Sequence, residues 1–397
     1  MSQWQALGSV LRHAAVFSPY YRDQEWAARL RSGAAINFPR DVPLTSKSVV
    51  RGNSSAFYSL HIPDEHGSVV EEFTSGSTGA PVMVKKTKRH LQVNAIELHR
   101  LIAGWRLEDH KNALNLAPDT HKSAGSCEMT HMPNGARMFT LHGLEASAAL
   151  NMLLRSGASA ISGYPSLIHE VLKLGTERSV NLPLKLISTK GEVASDEFRG
   201  FAADHSGCQI LDRYGSMETG VIATSCKLCN HYHMADRHLL VEVLRADGTP
   251  AARGEIGRMV VTPLYNLAMP LVRYDIGDYV ELSGDEACEK KPSFSIRRIF
   301  GREVNIFKLA DGTRVTPRLP ADALAALGVR QYKLVQTTLH DVELRYIPEN
   351  ESTQVSDEWA QRLVERHIAP ILRAKAIRTT DLPRRSGGKY LMHESLV

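Results

Sequence analysis

The fold is indicated first by residues 69–81, whose sequence is VVEEFTSGSTGAP. The opening five residues predict a short strand, and apolar residues at helical spacing from Lys88 to Trp105 predict a helix farther on. Between them, glycines allow tight bending so that backbone N–H groups converge on an anion, and four Ser and Thr hydroxyls add donors. Because the Gly-Lys-Ser/Thr ending of a Walker loop is missing, we predict a phosphate-binding loop of another kind. The alternative is a Ser/Gly surface linker.

Strands and helices alternate on the C-terminal side of this loop, which predicts a layered α/β domain. After about residue 220 the pattern becomes β-rich, and Asp247-Gly248 predicts a hairpin with a type I′-like turn. A separate unit of strands and helices follows from about residue 302. The prediction is an α/β fold with a large N-terminal domain carrying a β-rich subdomain, residues 1–301, and a small, mobile C-terminal α+β domain, residues 302–397. The individual elements expected are strands at 69–73, 112–117, 158–162, 185–188, 209–214, 239–245, 258–262, 280–282, 294–299, 332–338 and 342–347, and helices at 4–17, 23–30, 88–105, 148–155, 165–174, 195–206, 320–327 and 356–369.

Composition excludes several classes of protein. With 397 residues, 43% hydrophobic and 23% charged, the chain is an ordinary globular sequence rather than a disordered, collagen-like or coiled-coil one. No apolar run approaches the roughly 18–20 residues that span a bilayer, so no membrane association is expected. The net charge of +5 is not concentrated in a basic stripe, so no nucleic-acid partner is expected either. The first residues lack a secretory signal, which favours a cytoplasmic location, and five cysteines do not make a disulfide framework.

Two further segments place carboxylates where a nucleotide could bind. In Asp212–Gly220 a predicted strand ends at Tyr214, Gly215 permits a turn, and Glu218 follows at the carboxyl end, where ligands bind in α/β sheets. Beside a phosphate loop, Glu218 could ligate Mg²⁺; alone, it would be a solvated side chain. In Leu271–Asp278 the carboxylate of Asp278 could accept both ribose hydroxyls, or the segment could be a plain turn.

Two more segments complete an ordered set: Gly301-Arg302 at the expected domain boundary, and Lys389 in the basic, glycine-containing tail. In this order and spacing, the set resembles the adenylate-forming acyl ligase superfamily and, within it, the phenylacetate–CoA ligase branch. The resemblance runs from about residue 70 to the end of the chain. It implies ATP, Mg²⁺ and CoA as ligands.

The resemblance also implies a role for individual residues. Lys389 would reach the substrate carboxylate and α-phosphate, Glu218 would hold Mg²⁺, and Tyr214 would stack on adenine beside Gly215. Asp278 would bind the ribose hydroxyls. The remaining nucleotide contacts would come from Thr74, Ser75, Gly76, Ser77, Thr78 and Gly79 around the phosphates, with Thr78 also catalytic, from Gly191 and Glu192 at the adenine, and from Arg302 at the start of the small domain.

The implied reaction is ATP-dependent activation of an aromatic or heteroaromatic carboxylic acid as its acyl adenylate, followed by transfer to CoA. The acid pocket would include Tyr164, Pro165, His121 and Gly215. Two other acceptors stay open, an amine and a carrier-protein thiol. A different class also stays open, a degenerate ligase that binds nucleotide or acyl group without catalysis, which Val304 at the usual hinge position would favour. A monomer or homodimer is expected.

A separate cluster lies in Cys226–His233, where Cys-x-x-Cys is followed by His-x-His. Two thiolates on one turn and two imidazoles on one side of a strand could complete a zinc site. Cys226, Cys229, His231 and His233 are therefore the predicted ligands of a structural Zn²⁺. The alternative is a set of reduced thiols beside surface histidines.

Overall fold

The computed structural model describes residues 2–74, 82–117, 122–132, 135–284, 288, 295–317, 319, 324, 327–384 and 390–397, without the side chains of residues 196, 197, 205 and 206. Its helices are α1 (Gln3–Phe17), α2 (Pro19–Arg22), α3 (Glu25–Arg31), α4 (Lys47–Gly52), α5 (Lys88–Ile102), α6 (Ala146–Ser156), α7 (Pro165–Glu177), α8 (Asp196–Ser206) and α9 (Asp357–His367). Its strands are β1 (Thr45–Ser46), β2 (Val69–Phe73), β3 (Met83–Thr87), β4 (Asn112–Ala117), β5 (Cys127–His131), β6 (Arg137–His142), β7 (Ala160–Gly163), β8 (Leu186–Lys190), β9 (Gln209–Ser216), β10 (Gly220–Ser225), β11 (Tyr232–Met234), β12 (Leu239–Leu244), β13 (Ile256–Pro263), β14 (Tyr274–Leu282), β15 (Ser295–Arg302), β16 (Phe307–Lys308), β17 (Arg314–Val315), β18 (Val329–Gln336), β19 (Asp341–Pro348), β20 (Arg373–Arg378) and β21 (His393–Ser395).

One large sheet organises most of the chain. Among the described residues its strand order is β12-β13-β14-β15-β11-β10-β9-β8-β7-β4-β6-β5, with β1 added beside β14. Strands β9, β8, β7, β4 and β6 pair in parallel, whereas the run from β9 to β12 is antiparallel. The predicted α/β fold with a β-rich part is confirmed.

Helices cover both faces of the parallel strands because the side chains of those strands alternate. One face of β4, β7 and β8 presents Leu114, Ile161 and Ile187 to a core shared with α6 and α7. The opposite face presents Ala160, Leu186 and Leu211 to Ile102 and Trp105 at the end of α5. Both faces of these strands are therefore buried, as is usual for parallel sheets.

Helices and strands from the first seventy residues contribute to the core of the β-rich part. Trp26 and Tyr21 are fully buried together with Tyr274 of β14. The hydroxyl of Tyr21 accepts the N–H of Val272 at 2.9 Å, and Thr45 pairs in register with Tyr274. These helices thus brace the strand that carries Asp278.

The C-terminal part is a small sheet covered by one long helix. Strands β20-β19-β18-β21 form this sheet, and α9 packs on it through Ala360, Leu363 and Val364. In sequence, Arg302 at the end of β15 is the last residue that belongs to the large sheet. The helix predicted at 320–327 lies mostly outside the described residues. A large α/β part followed by a small α+β part is the predicted fold class.

Two local expectations differ from the structure. The predicted type I′ turn is wrong, because that turn needs positive φ at both central residues and only Gly248 (φ 85°) is positive in this loop. Gly248 instead closes a turn from Arg245 at 3.0 Å, and Asp247 accepts the N–H of Thr249. The sequence analysis also missed β3, which pairs antiparallel with β2 apart from the large sheet. The Ser/Gly loop therefore connects a hairpin.

None of the helices in the described ranges is long and apolar enough to cross a bilayer.

Candidate active site

A cavity of about 1720 Å³ lies where the large sheet meets the C-terminal part. Its walls include Thr74, Tyr214 and Asp278 from the large sheet side and Tyr390 from the C-terminal tail. Single-ligand pockets are typically about 300–1,000 Å³, so this cavity has room for more than one small molecule.

Tyr214 and Asp278 meet inside this cavity. The Tyr214 hydroxyl donates to Oδ2 of Asp278 at 2.7 Å, although the two residues lie on separate strands, β9 and β14. Burial, followed by the charge of Asp278, raises the pKa of Tyr214 well above its usual value, so this hydroxyl stays protonated. Arg302 is the register partner of Asp278 on β15 and also lines the cavity. Three residues predicted to contact the nucleoside are therefore neighbours.

Gly215 and Gly220 allow β9 and β10 to approach each other closely. A Cβ on Gly215 would lie 2.5 Å from the carbonyl oxygen of Gly220, well inside van der Waals contact. Gly220 has φ 82°, and the following Val221 donates its N–H to Asn94 at 2.8 Å. The tight hairpin places Glu218, between these glycines, at the cavity wall.

Glu218 is buried and paired. Its Oε1 lies 3.0 Å from Nζ of Lys47 and accepts the Tyr274 hydroxyl at 3.0 Å. Burial alone would raise the pKa of Glu218, but the Lys47 charge and the hydrogen bonds outweigh it and hold the pKa below its usual value. A permanently charged carboxylate is thus present where a Mg²⁺ ligand is predicted. Lys47 belongs to α4, in the part of the sequence that carried no motif.

Glu192 joins the large sheet to the C-terminal tail. It follows Gly191, whose φ of 79° turns the chain after β8. Oε2 of Glu192 accepts the N–H of Ser166 at 3.1 Å, and Oε1 accepts the N–H of Tyr390 at 2.6 Å. Burial raises the pKa of Glu192, although these hydrogen bonds oppose the rise. Gly191 and Glu192 line the cavity, but the carboxylate is engaged by backbone groups.

Arg384 precedes segment 385–389 and contacts Ser166, the same residue that Glu192 contacts. Its guanidinium donates to Oγ of Ser166 at 2.6 Å and forms an ion pair with Glu170 on α7. Arg384 and Tyr390 border the segment 385–389 that holds Lys389, so both flanks of that segment are positioned at the cavity.

Tyr164 and Pro165 form the junction between β7 and α7. Tyr164 is buried, which raises its pKa to about 12, and Pro165 is the first residue of the helix. Both line the cavity, as predicted for the acid pocket.

Seven predicted site residues lie outside the described residues. Thr74, at the edge of the Ser/Gly loop, is described: its N–H donates to Val82 O at 3.0 Å, and its hydroxyl accepts the Val82 N–H at 2.9 Å. These bonds close the base of the loop. The seven residues whose placement is not described are Ser75, Gly76, Ser77, Thr78, Gly79, His121 and Lys389.

Two basic residues that the sequence analysis overlooked also line the cavity. Lys190 ends β8, and Arg213 is its register partner on β9. Lys190 donates to Oδ1 of Asn115 at 2.9 Å, and Arg213 donates to Oγ of Ser162 at 2.8 Å. Lys190 directly precedes Gly191, and Arg213 directly precedes Tyr214. This adjacency to predicted site residues is the sequence signal that could have identified them.

The cysteine cluster adjoins the cavity wall at Cys226 and has a different fourth member from the one predicted. Within the described part of the chain, ligand atoms of Cys226, Cys229, His233 and Cys288 all lie within 4.8 Å of one another. His231 is buried but is not in this group. It precedes β11, whereas His233 lies in that strand, and Cys288 arrives from the connection between β14 and β15. The predicted ligand set therefore needs Cys288 in place of His231.

Comparison with known proteins identifies the family of the chain. A family model described as AMP-binding enzyme matches residues 29–264. The phenylacetate-coenzyme A ligase of Thermus thermophilus is 25% identical over 402 residues, which cover 89% of this chain and 86% of that protein.

Solved structures show the same fold. A 2-hydroxyisobutyryl-CoA ligase in the postadenylation state, in complex with 2-HIB-AMP, superimposes with a TM-score of 0.76 at 16% identity, covering 99% of this chain and 88% of that one. Against the same ligase in the thioesterification state, the TM-score is 0.58 at 16% identity, with 99% and 90% covered. The predicted resemblance is confirmed: the chain belongs to the AMP-binding enzyme family, in the phenylacetate–CoA ligase-like branch of the adenylate-forming superfamily.

Proposed function

We propose that this protein activates a carboxylic acid with ATP and transfers the acyl group to CoA. In the first step, a carboxylate oxygen bonds to the α-phosphorus of ATP, the bond to the bridging oxygen of the β-phosphate breaks, and pyrophosphate leaves. In the second step, the CoA sulfur bonds to the acyl carbon, AMP leaves, and the thiol proton passes to solvent. The observation that carries the proposal is the Tyr214–Asp278 pair beside charged Glu218 in a cavity large enough for nucleotide and acid.

The nucleoside would lie along Tyr214 and Asp278. The Tyr214 ring offers a face for adenine, and Asp278, already oriented by the Tyr214 hydroxyl, has carboxylate oxygens suited to two ribose hydroxyls. Arg302 on β15 is the register partner of Asp278 on β14 and would contact the same part of the nucleotide. Thr74 and the Ser/Gly loop after it would surround the phosphates.

Glu218 would hold Mg²⁺ when ATP binds. A charged carboxylate is the oxygen ligand that Mg²⁺ prefers, and the depressed pKa of Glu218 keeps it charged at neutral pH. When bound, Mg²⁺ would neutralise phosphate charge. Lys47 holds the Glu218 carboxylate in position.

Lys389 would contact the reacting carboxylate and the α-phosphate. A lysine–carboxylate–phosphate contact is charge-assisted and strong, and it would reduce the repulsion between the two anions. The positions of Arg384 and Tyr390 on either side support this role.

An aromatic acid is the substrate class that the phenylacetate-coenzyme A ligase relative suggests. Tyr164 and Pro165 give the cavity an apolar section suited to a ring. A ligase for 2-hydroxyisobutyrate shares the fold, so the fold alone does not select an aromatic acid.

The test combines a panel of acids with two readouts. Acid-dependent ATP–pyrophosphate exchange reports adenylation, and mass spectrometry with and without CoA identifies the acyl product. We expect exchange with at least one aryl acid and a thioester only when CoA is present. If the product is an amide, or if only a carrier protein is acylated, the acceptor is an amine or a carrier-protein thiol instead of CoA. Binding of ATP and acid without any exchange would identify a non-catalytic binder instead.

A further inference from the structure

Lys190 and Arg213 are two cations in the cavity that, among the described residues, form no hydrogen bond with a carboxylate. They are register partners on β8 and β9, and both are partly buried. Their hydrogen bonds go to neutral groups, Asn115 Oδ1 and Ser162 Oγ. Within the described residues neither forms an ion pair with a carboxylate, and the buried Nε of Arg213 makes no hydrogen bond.

The carboxylate of Asp212 interacts with the charge of Arg213 but is hydrogen-bonded to other groups. Asp212 precedes Arg213 in β9, so its side chain points to the opposite face of the sheet. There Oδ1 accepts the Thr189 hydroxyl at 2.6 Å, and Oδ2 pairs with Arg199 at 2.8 Å. Asp212 therefore offsets the charge of Arg213 only in part, because it is shared with Arg199.

Leaving two cations together in a partly buried site has a cost. Burial and, to a smaller extent, the charge of Arg213 together lower the pKa of Lys190 to about 8. Unpaired charges taken out of water are strongly unfavourable unless a counter-ion arrives. A bound anion would supply that counter-ion and convert the cost into affinity.

The pair faces away from the nucleoside residues. Tyr214 follows Arg213 in β9 and points to the other face, toward Asp278 on β14. Arg213 instead reaches past β8 to Ser162 on β7, and Lys190 reaches past β7 to Asn115 on β4. An apolar layer of Ala160, Leu186, Leu211 and Trp105 underlies this polar patch. The patch therefore lines the cavity on the sheet face opposite Tyr214.

We propose that Lys190 and Arg213 bind a second anionic group of the substrate, at the end remote from the carboxylate that is activated. The substrate class is then a carboxylic acid that also carries a carboxylate or an acidic phenol. This inference rests on the proposed function, because it assumes that an acid occupies the cavity during adenylation.

Matched acids and two substitutions test the subsite. The probes are phenylacetate against 4-carboxyphenylacetate and 4-hydroxy-3-nitrophenylacetate, whose nitrophenol is ionised in mildly alkaline buffer, and hexanoate against adipate. For the wild type we expect kcat/KM in ATP–pyrophosphate exchange to favour the doubly acidic member of a pair at least tenfold. Lys190→Met and Arg213→Met should each reduce that preference at least tenfold, while kcat/KM for phenylacetate or hexanoate stays the same or rises. The two functional groups tested separate a carboxylate from a phenol.

Lys185→Met is the matched control, since Lys185 is exposed at the opposite end of β8 and should leave the preference unchanged. Retained exchange with the monocarboxylic acids, phenylacetate and hexanoate, shows that the variants fold. If wild type and variants alike prefer the monocarboxylic acids, the proposed subsite is contradicted while the proposed function stands. If no acid of any kind supports exchange in the wild type, both fail.

An independent observation concerns Cys226, Cys229, His233 and Cys288. The Sγ atoms of Cys226 and Cys288 are 4.0 Å apart, and Sγ of Cys229 is 3.4 Å from Nε2 of His233. Tetrahedral Zn²⁺ with its usual bond lengths separates two sulfurs by about 3.8 Å and a sulfur from a nitrogen by about 3.6 Å. The Leu228 N–H donates to Sγ of Cys226 at 3.4 Å, which would stabilise a thiolate.

We infer that these four side chains bind a structural Zn²⁺. Four protein ligands would leave no position for substrate, so the metal would not take part in the reaction. It would connect the β10–β11 loop to Cys288, between β14 and β15. Strand β10 follows the turn that carries Glu218, and β14 contains Asp278.

Metal analysis of the purified full-length protein tests this site. We expect close to one zinc per chain, loss of zinc in His233→Gln and Cys288→Ser, and retention in His231→Gln and Cys127→Ser, whose thiol is exposed and distant from the cluster. Because a ligand variant may fold poorly, the wild type is also treated with a chelator, and its melting temperature should fall and recover on adding Zn²⁺. No zinc after addition of Zn²⁺, or loss in His231→Gln with retention in Cys288→Ser, would overturn the assignment.

Discussion

The hydroxyl of Tyr214 has one specific task, to orient Asp278 through a 2.7 Å hydrogen bond. Tyr214→Phe keeps the ring and removes only this bond. Hydrogen bonds to charged groups contribute about 1.5–3 kcal/mol, so we expect KM for ATP to rise about tenfold, with a smaller change in kcat. The measurement is ATP–pyrophosphate exchange over a range of ATP concentrations.

Tyr279→Phe is the matched control. Tyr279 adjoins Asp278 in β14, but its hydroxyl contacts Arg314 outside the cavity. An equal rise in KM for both variants would show that the Tyr214 hydroxyl does not act on the nucleotide through Asp278.

The Lys47–Glu218 pair determines the charge of a buried carboxylate. In Lys47→Met only the hydrogen bonds from the Tyr274 hydroxyl and the backbone would oppose burial, so we expect the Glu218 pKa to rise. Breaking a buried pair costs about 3–5 kcal/mol, but the Lys47 side chain is 28% exposed, so we expect a loss of about 2 kcal/mol at pH 7. Urea unfolding measures the difference.

The pH dependence of that difference has a definite sign. In the wild type the pKa of Glu218 is lowered on folding, so its contribution is present above the ordinary glutamate value and is lost as pH falls. In Lys47→Met the pKa is raised, so protonation on lowering the pH relieves an unpaired charge. The gap between the two proteins should narrow from pH 7 to pH 4. A gap that stays constant or widens would contradict this account of Lys47.

At the scale of elements, the docking of α5 depends on two neutral histidines. His90 on α5 and His238 before β12 are fully buried, with ring centroids 6.2 Å apart. Burial lowers the pKa of His90 to about 3 and that of His238 to about 4. The unfolded chain binds protons at these groups near pH 6.5, so stability is complete above that pH and is lost as pH falls below it.

His90→Leu should therefore flatten the acid side of the stability profile. Between pH 7 and pH 5, one such histidine costs the folded state about 2 kcal/mol, at about 1.4 kcal/mol per pH unit below 6.5. We expect the variant to lose about that much less stability than the wild type over this interval, measured by urea unfolding. His99→Gln, on an exposed face of the same helix, should leave the profile unchanged. A wild-type profile that is flat from pH 7 to pH 5 would contradict the prediction.

Elements with strong local periodicity were predictable from sequence. The strand Asn112–Ala117 and the α5 start at Lys88 agree with the structure because each is determined by alternating or helical burial. β3 was missed because its sequence, MVKKT, carries two lysines that pair with Glu71 and Glu72 across the hairpin. Those cross-strand ion pairs exist only once the two strands meet.

The site residues, too, were predictable only where a short local motif contains them. Tyr214, Asp278 and Arg302 were predictable because each belongs to a short ordered motif. Lys47 and Cys288 were not, because each reaches its partner from a distant part of the chain, across 171 residues for Lys47 and Glu218 and 62 for Cys288 and Cys226. Lys190 and Arg213 adjoin motifs, but which carboxylates and hydroxyls they contact depends on the pairing of β8 and β9, which the sequence does not reveal.

At the scale of the whole molecule, Arg384 and Tyr390 are among the described residues that connect the C-terminal part to the large sheet. Arg384 contacts Ser166 and Glu170, and the Tyr390 N–H contacts Glu192. All three partners line the cavity. We predict that these contacts support the first half-reaction of the proposed function.

Arg384→Gln should slow that half-reaction selectively. The Glu170 side chain is 45% exposed, so the ion pair contributes about 1 kcal/mol at most, and we expect acyl-adenylate formation to slow about fivefold. Transfer from a chemically prepared acyl adenylate to CoA should be unchanged or faster, because the closed arrangement is no longer favoured. Single-turnover kinetics separates the two steps. Arg373→Gln, which removes an ion pair to Asp341 on the C-terminal sheet, should alter neither step. Equal slowing of both steps in Arg384→Gln would mean that the contact supports the fold of the tail rather than the placement of the C-terminal part.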